Sequence, residues 1–315
     1  MPTKIILDCD PGHDDAVAML LAWGSPAIEL VGVTTVVGNQ TLDKVTRNAL
    51  AVARVAGIVG VPFAAGSARP LVREIETAGE IHGESGMDGP VLPEPTLRLD
   101  PRPAAQFIVD TIMAAEPGSI TLVPTGGLTN IALAARLEPR IIPRVKEVVL
   151  MGGGAREGNW SAVAEFNIVI DPEAAAIVFG AGWPVTMVGL DVTHQAIATP
   201  EVRAAIAAVG TGPAVFVGEL MEFFETAYRD AQGFDHPPVH DPVAVAYVID
   251  PSLVRTVAAP IAIETRGEHT LGMTVVDLRG PASADCVTRV TFDLDAERFW
   301  ALVVDALERI GEPEL

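Results

Sequence analysis

Apolar runs alternate with amphipathic segments along the first half of the chain. Residues 4–7 and 28–36 are apolar and rich in β-branched side chains, which is typical of buried strands. Residues 14–23 instead repeat apolar positions at the spacing of one helix face. Short strands that alternate with helices predict an open, mostly parallel (mixed) α/β sheet with helices on both faces.

The same patterns predict the remaining elements. The predicted strands are residues 4–7, 28–36, 61–64, 120–123, 147–151, 185–190, 261–265, 273–278 and 287–292. The predicted helices are residues 14–23, 42–56, 104–115, 130–137, 174–179, 214–229, 242–248 and 296–309. We expect loops over residues 66–102 and an antiparallel edge formed by the last three strands. No linker interrupts the chain, so we expect one domain of residues 1–315.

Composition and charge exclude several classes of protein. The chain has 315 residues, of which 49% are hydrophobic, and this excludes intrinsic disorder. It carries 41 Asp and Glu residues against 21 Lys and Arg residues, a formal net charge of −20. Such an acidic chain without basic clusters is a poor partner for nucleic acid or for an anionic membrane surface.

The start of the chain and its cysteines predict a cytoplasmic protein. The apolar run before Asp8 is shorter than the core of a signal peptide, which has about 7–15 residues. No segment reaches the length of a membrane span, about 18–20 uncharged apolar residues. Cys9 and Cys286 are too few for a disulfide framework and lack zinc-site spacing, so we expect two reduced thiols.

Polar residues and glycines follow four predicted strands at their carboxyl ends. They are Asp8, Asp10, Asp14 and Asp15 after the first strand, Gly38 and Asn39 after the second, residues 125–127 after the strand at 120–123, and residues 152–154 after the strand at 147–151. In open α/β sheets, ligands bind beyond the carboxyl ends of the strands. We therefore expect the active site at this edge.

The opening segment DCDPGHDD places four carboxylates within eight residues. Carboxylates this close repel each other unless a cation lies between them, and oxygen ligands suit Ca²⁺ or Mg²⁺. Asp14 and Asp15 could instead stabilise only the start of a helix. That interpretation does not account for Asp8 and Asp10, which follow an apolar strand.

Together with motifs downstream, this segment resembles the inosine–uridine-preferring nucleoside hydrolase family. The motifs are DCDPGHDDAVAMLLA (8–22), TTVVGN (34–39), HGESGMDG (82–89), PTGGLTN (124–130), MGGGAREGNWSAVAEFNIVIDPEAA (151–175) and VHDPVAVAY (239–247). They follow the family's order and spacing over roughly residues 1–250, whereas the last 65 residues add little to the match. The resemblance implies hydrolysis of the N-glycosidic bond of ribonucleosides, which yields ribose and a free base.

The resemblance also implies a calcium site. Asp10, Asp15 and Asp241 would bind Ca²⁺ through their side chains, and Thr125 through its carbonyl oxygen. Asp10 would also be the general base for a water on the metal, and Asn39 would help to place both. This is coherent chemistry, because a cation lowers the pKa of water and a neighbouring carboxylate can take the proton.

Further residues are implied for the sugar and the leaving base. The residues implied for the ribose are Asp14, Asn159, Glu165, Asn167 and Asp241, with Met151 packing nearby. A base that leaves needs a proton, and a histidine is the usual donor. His240 is the first candidate, and His82, on a loop that could close over the base, is the second. We interpret His13, His194, His236 and His269 as helix-start or surface histidines.

The residues that select the base are less clearly indicated. Phe224, Tyr228 and Gln232 precede His240 and are the candidates, although aromatic residues at helical spacing are often core residues. Tyr228 resembles the arrangement in nonspecific members of the family. His13 and Gln232 resemble pyrimidine-preferring members. The base range is accordingly left as broad or pyrimidine-leaning.

Two other functions stay open at this point. ILDCD after a strand is similar to the aspartate pair of haloacid dehalogenase-type phosphatases, with Asp8 as nucleophile and Asp10 as acid. That class needs a downstream lysine, and Lys44 and Lys146 lie in unsuitable contexts. A non-catalytic nucleoside-binding protein is the second alternative. The family resemblance implies a small-molecule ribonucleoside substrate and a homodimer or homotetramer.

Overall fold

The computed structural model describes residues 1–311, and these contain an eight-stranded sheet and a separate two-stranded sheet. The strands are β1 (Thr3–Cys9), β2 (Ile28–Thr35), β3 (Phe63–Ala65), β4 (Ile120–Pro124), β5 (Val145–Met151), β6 (Val185–Val188), β7 (Val254–Ala258), β8 (Ile261–Ile263), β9 (Thr274–Val276) and β10 (Thr288–Leu294). The order in the large sheet is β3-β2-β1-β4-β5-β6-β10-β7. Only the β10–β7 pairing in it is antiparallel, which confirms a mostly parallel, mixed sheet.

Helices cover both faces of the large sheet, as predicted. They are α1 (His13–Gly24), α2 (Leu42–Val55), α3 (Gly79–His82), α4 (Ala104–Ala114), α5 (Thr129–Leu137), α6 (Phe166–Val169), α7 (Pro172–Gly180), α8 (Leu190–Thr193), α9 (Pro200–Val209), α10 (Gly212–Gln232), α11 (Asp241–Ile249) and α12 (Ala296–Gly311). Ile5 and Leu7 of β1 pack with α1 and α10–α12, whereas Ile6 packs with α4, α5 and α7. This alternation buries β1 on both sides. Within residues 1–311, no helix has the length and apolarity that crossing a membrane requires.

Two expectations about the C-terminal part were wrong. The segments predicted at 261–265 and 273–278 pair with each other as β8 and β9, outside the large sheet. The antiparallel edge is formed by β10 and β7, and β7 was not predicted. Its residues are mostly exposed or half-buried, so the strand lacks the apolar run that identifies a buried strand.

Some helices also differ from the prediction. The strand expected at 185–190 ends at Val188, and α8 begins after Gly189. A Cβ at Gly189 would lie 2.6 Å from the carbonyl oxygen of Gly153, so this turn requires glycine. Helix α9 was missed because Ile206 is its one buried residue, although Thr199 followed by a proline is a typical start signal.

The chain reverses its direction of travel across the sheet beside β1. From β1 it moves outward through β2 to β3, and it then returns to β4 on the other side of β1. Such a switch point leaves a crevice at the carboxyl ends of the two central strands. The polar residues after β1, β2 and β4 meet there.

Candidate active site

The turn between β1 and α1 is held together by the carboxylate of Asp15. Its Oδ1 atom accepts from the Thr125 hydroxyl at 2.8 Å and from the backbone N–H of Asp10 at 3.3 Å. Its Oδ2 atom accepts from the backbone N–H of Gly12 at 3.0 Å and from the Asn39 side chain at 3.1 Å. Asp15 therefore joins the ends of β1, β2 and β4 besides closing the first turn of α1.

Asp10 is fully buried and its carboxylate is only half satisfied. Its Oδ2 atom accepts from the backbone N–H of Asn39 at 2.6 Å, whereas Oδ1 has no hydrogen-bond partner within residues 1–311. A Cβ at Gly38 or at Gly126 would lie 1.9 or 2.3 Å from this carboxylate, so both positions require glycine. The backbone thus closes around Asp10 and leaves one carboxylate oxygen without a protein donor.

Three buried carboxylates converge at the floor of the crevice. Asp14, Asp15 and Asp241 each offer an oxygen atom within 4.8 Å of the others. Burial, and then the charge of Asp15, raises the pKa of Asp14 to about 7. Burial and the neighbouring charge of Asp14 also raise the pKa of Asp241 well above its usual range. A divalent cation would offset this repulsion, and an all-oxygen donor set fits a hard ion.

This group differs in one member from the ligand set that the family resemblance implies. The resemblance implies Asp10, Asp15 and Asp241, whereas the converging oxygens belong to Asp14, Asp15 and Asp241. The carbonyl oxygen of Thr125 accepts from the side chain of Asn167 at 2.8 Å. The residues present nevertheless fit a cation, because Asp10 Oδ1 is a buried carboxylate oxygen without a donor.

The loop before α6 places rigid polar groups on one wall. Glu165 accepts from the backbone N–H groups of Gly153 at 2.8 Å and Asn167 at 2.9 Å, and burial raises its pKa to about 7. Asn159 accepts from the backbone N–H of Phe166 at 2.9 Å. These hydrogen bonds hold the polar side chains of the motif GNWSAVAEFN in fixed positions. A loop that is only solvated would not need such bonds.

His240 directly precedes α11, and each of its ring nitrogens lies within hydrogen-bond distance of a hydroxyl group. Its Nδ1 atom lies 2.8 Å from the hydroxyl of Thr193, and its Nε2 atom lies 2.8 Å from the hydroxyl of Tyr228. Burial lowers the pKa of His240 well below its usual range. Thr193 was missed from the sequence, although its place shortly after the carboxyl end of β6 was an available signal.

His82 ends α3 and approaches the turn after β1. A Cβ at Gly12 would lie 2.4 Å from its Nδ1 atom, so glycine allows this close approach. His13 begins α1, which confirms the helix-start interpretation. It is not a surface residue, because its ring is fully buried, stacks on Phe223 and Phe224 and contacts His82. Packing against another element, which the local sequence does not encode, buries this histidine.

The other histidines are surface residues, as expected. His269 is exposed, and His194 and His236 pair with Glu157 and Glu225 at 3.0 and 2.9 Å.

A cavity of about 410 Å³ brings these groups together. The predicted site residues that line it are Asp14, Asn39, His82, Thr125, Met151, Asn159, Glu165, Asn167, Tyr228, Gln232, His240 and Asp241. Asp10 and Asp15 lie buried beneath it, and Gln232 lies at its exposed rim. Phe224 is a core residue with no exposed surface.

Several lining residues were missed by the sequence interpretation. They are Thr77, Ala78, Glu80, Ile81, Trp160, Phe166 and Ala231. Trp160 and Phe166 lie inside the quoted motif, so their aromatic character was an available signal. Residues 77–81 carry no comparable signal, because they reach the cavity only through the course of the loop between β3 and α4.

A model of the family described as inosine-uridine preferring nucleoside hydrolase matches residues 5–301 of the chain. The chain belongs to this family.

Individual nucleoside hydrolases match it over nearly their whole length. An inosine-uridine preferring nucleoside hydrolase of Crithidia fasciculata is 61% identical over 315 residues, which are 100% of both chains. A pyrimidine-specific ribonucleoside hydrolase RihA of Shewanella woodyi is 46% identical over 98% of this chain and 99% of that one. The solved structure of a purine-preferring ribonucleoside hydrolase from Gardnerella vaginalis has a TM-score of 0.92 at 33% identity, and covers 98% of this chain and 99% of that one.

Membership of the nucleoside hydrolase family removes the phosphatase alternative, and the geometry of Asp8 agrees. Its side chain is fully buried, and its Oδ1 atom accepts from Thr34 at 2.5 Å and Asn130 at 2.8 Å. Asp8 does not line the cavity. The two hydrogen bonds connect β1 to β2 and to α5, so Asp8 acts as a structural brace.

Proposed function

We propose that this nucleoside hydrolase cleaves the N-glycosidic bond of ribonucleosides in a calcium-dependent reaction that yields ribose and a free base. One observation carries the proposal: Asp14, Asp15 and Asp241 converge at the floor of a cavity of about 410 Å³ whose walls carry fixed hydrogen-bonding groups. A nucleoside needs both features, a charged floor for chemistry at the sugar and polar walls for its hydroxyls.

Asp10, Asp15, Asp241 and the carbonyl oxygen of Thr125 would hold the calcium ion. When bound, the ion lowers the pKa of a water molecule and compensates the negative charge of the carboxylates. Asp10 takes the proton from the attacking water. The support for this role is the Oδ1 atom of Asp10, which has no protein donor. The backbone N–H of Asn39 orients the carboxylate through the 2.6 Å bond to Oδ2.

The ribose binds between the carboxylate floor and the loop before α6. Its proposed partners are Asp14, Asn159, Glu165, Asn167 and Asp241, with Met151 beside them. The sugar becomes oxocarbenium-like as the glycosidic bond breaks, by analogy with other glycosidases. Carboxylates that are already fixed before the reaction stabilise this developing positive charge without having to reorganise.

His240 protonates the leaving base. In the doubly protonated ring, Nδ1–H would donate to the hydroxyl of Thr193 and Nε2–H to the hydroxyl of Tyr228. The Tyr228 hydroxyl would give its own proton to the base while it accepts the proton from Nε2, which leaves His240 as a neutral imidazole. Both side chains line the cavity, so the relay ends where the base leaves.

The proposed base range is broad or leans toward pyrimidines. Its support is the identity to both an inosine-uridine preferring and a pyrimidine-specific relative, together with Tyr228 and Gln232 at the cavity wall and rim. His82 and Gln232 can each form hydrogen bonds with a base, whereas Trp160 offers a ring that accepts any base by stacking.

The test measures ribose release from inosine, uridine, adenosine and cytidine, with and without a chelator. We expect release that needs calcium and is lost in Asp10→Asn, a variant that keeps the size of the side chain. Magnesium and calcium are added back separately to chelated protein, and the ion that restores the rate identifies the metal. Binding of nucleosides without release would instead support a non-catalytic binding protein.

We further propose that residues 1–315 act as one cytoplasmic domain and assemble as a homodimer or homotetramer. Cys9 and Cys286 are both free thiols, which is consistent with a reducing compartment. The family resemblance supports the assembly. Light scattering of the calcium-loaded protein measures its mass, and a mass of one chain would contradict the proposed assembly.

A further inference from the structure

His82 is contacted from behind the cavity by a second histidine, His13. The Nδ1 atoms of the two rings lie 3.2 Å apart, and the Nε2 atom of His13 lies 2.8 Å from the carbonyl oxygen of Asp88. The ring of His13 is fully buried and stacks on Phe223 and Phe224, with centroids 5.2 and 4.9 Å away. This packing fixes the plane of the His13 ring and therefore the direction of both nitrogens.

The partners of His13 determine where its hydrogen lies. A backbone carbonyl oxygen only accepts, so Nε2 of His13 must carry the hydrogen that it donates to Asp88. A buried imidazole between a carbonyl group and another imidazole is neutral and has one N–H. The Nδ1 atom of His13 therefore presents a lone pair to His82.

The hydrogen between the two rings consequently belongs to His82. The backbone N–H of His13 also points at Nδ1 of His82, at 3.3 Å. If Nδ1 accepted this N–H instead, two lone pairs would face each other at 3.2 Å, which is repulsive. The ring-to-ring hydrogen bond avoids that repulsion. It leaves the backbone N–H of His13, which has no intrahelical partner in the first turn of α1, without an acceptor beside the Nδ1–H group.

We propose that His13 is a positioning residue that holds His82 in the Nδ1–H tautomer, so that its Nε2 atom is a hydrogen-bond acceptor toward the cavity. In this form His82 accepts an N–H or O–H hydrogen of the substrate and does not protonate the leaving base. That separates its role from the role of His240. The inference rests on the proposed function, because it takes the cavity as the nucleoside site.

The loop that carries His82 is rigid enough to keep this geometry. The backbone N–H of Asp88 donates to the carbonyl oxygen of His82 at 3.2 Å, and the Asp88 carboxylate accepts from the backbone N–H groups of Glu84 and Ser85 at 2.9 and 3.1 Å. His13 therefore contacts both ends of one closed turn, at His82 and at Asp88. Loss of the His13 ring removes both contacts together.

Nitrogen NMR of histidine-labelled, calcium-loaded protein at neutral pH tests the tautomer directly. The His82 signals are assigned by their loss in His82→Gln. We expect a protonated Nδ1 and an unprotonated Nε2 in the unsubstituted protein. A protonated Nε2 there overturns the proposal, whatever the behaviour of the variants.

Two variants of His13 separate its hydrogen bond from its bulk. His13→Phe keeps an aromatic ring against Phe223 and Phe224 but removes the acceptor, so the signals of His82 should move toward a mixture of tautomers. His13→Asn can place an amide oxygen near the position of Nδ1 and should keep the Nδ1–H form. A His82 tautomer unchanged in His13→Phe would overturn the proposal.

Kinetics give a readout that a purely structural role would not produce. Loss of one oriented hydrogen bond to the substrate corresponds to about a tenfold rise in KM, with kcat changed by less than about threefold. We expect this in His13→Phe and a return toward the original KM in His13→Asn. A protein that hydrolyses no nucleoside overturns the proposed function and leaves the NMR result valid, whereas active protein with a protonated Nε2 on His82 overturns this inference alone.

Discussion

Truncation of His240 to alanine separates proton donation from every other role of the cavity. The imidazole is 4% exposed, and its two nitrogens each lie 2.8 Å from a hydroxyl group, of Thr193 and of Tyr228. Inosine has a leaving group that needs a proton, whereas p-nitrophenyl riboside releases a stable anion. A proton donor must therefore matter for the first substrate and not for the second.

The expected magnitudes follow from this geometry. A positioned general acid contributes about 10²–10⁴-fold, so kcat/KM for inosine should fall by that factor in His240→Ala. For p-nitrophenyl riboside we expect a change below about tenfold. The truncation also leaves the buried hydroxyls of Thr193 and Tyr228 without a partner, at about 1–3 kcal/mol of folding stability each. The melting temperature should fall in parallel, and the assay temperature must be chosen below it.

The assay compares kcat/KM for both substrates in matched variants. Thr193→Val keeps the imidazole but removes its Nδ1 partner, so a smaller loss on inosine, about tenfold, is expected. Thr186→Val is the control, because the buried Thr186 hydroxyl of β6 has no hydrogen-bond partner within the described chain, and it should leave both rates unchanged. Equal losses on the two substrates in His240→Ala would refute the proton-donor role and assign the residue to binding or packing.

Three further predictions concern the metal, a glycine and an aromatic residue. Burial raises the pKa of Asp14 from 3.8 to about 7, so between about pH 4 and pH 7 the unfolded chain ionises this group more readily than the folded chain, and metal-free protein should lose stability to urea as the pH rises. Calcium should therefore stabilise the protein against urea more at pH 8 than at pH 5. Equal stabilisation at the two pH values would contradict this prediction. Gly126→Ala would place a Cβ 2.3 Å from Asp10 Oδ1 and should lower kcat/KM by about 100-fold. Gly218→Ala is the control, because a Cβ at Gly218 has no neighbouring atom within 4 Å, and it should leave kcat/KM unchanged. Equal kcat/KM values in the two variants would refute the packing argument. Trp160 is 45% exposed at the cavity wall, so Trp160→Ala should raise KM several-fold with little change in melting temperature, and an unchanged KM would exclude contact with the substrate.

Much of the fold and of the candidate site is encoded in local sequence. Continuous runs of apolar residues identify the buried strands β1, β2, β4 and β5, because a strand that is buried on both faces carries apolar residues on both. The acidic and glycine-rich motifs then fall at the carboxyl ends of these strands. Parallel strands present their carboxyl ends at one edge of the sheet, so motifs at these ends are expected to lie close together. The cavity accordingly contains both His240 and Glu165, although they are 75 positions apart in the sequence.

Other features depend on contacts between distant segments, which no local pattern specifies. Phe224 and Tyr228 lie four positions apart on α10, yet one is sealed in the core and the other lines the cavity. His13 begins α1, as the helix-start interpretation expected, but only its stacking on Phe223 and Phe224 explains why its ring is buried. The edge strand β7 is defined by its pairing with β10, not by its own weakly buried residues.

The carboxylates of the site show most clearly which features the local sequence encodes and which depend on tertiary contacts. The sequence by itself determined that Asp10, Asp14 and Asp15 lie together after β1, because eight residues cannot place them far apart. Only the tertiary structure decided that Asp241 joins Asp14 and Asp15 while Asp10 is held by Asn39. The direction of each carboxylate depends on the donors around it, and some of these come from segments distant in sequence. The backbone N–H of Asn39 donates to Asp10, and the hydroxyl of Thr125 donates to Asp15.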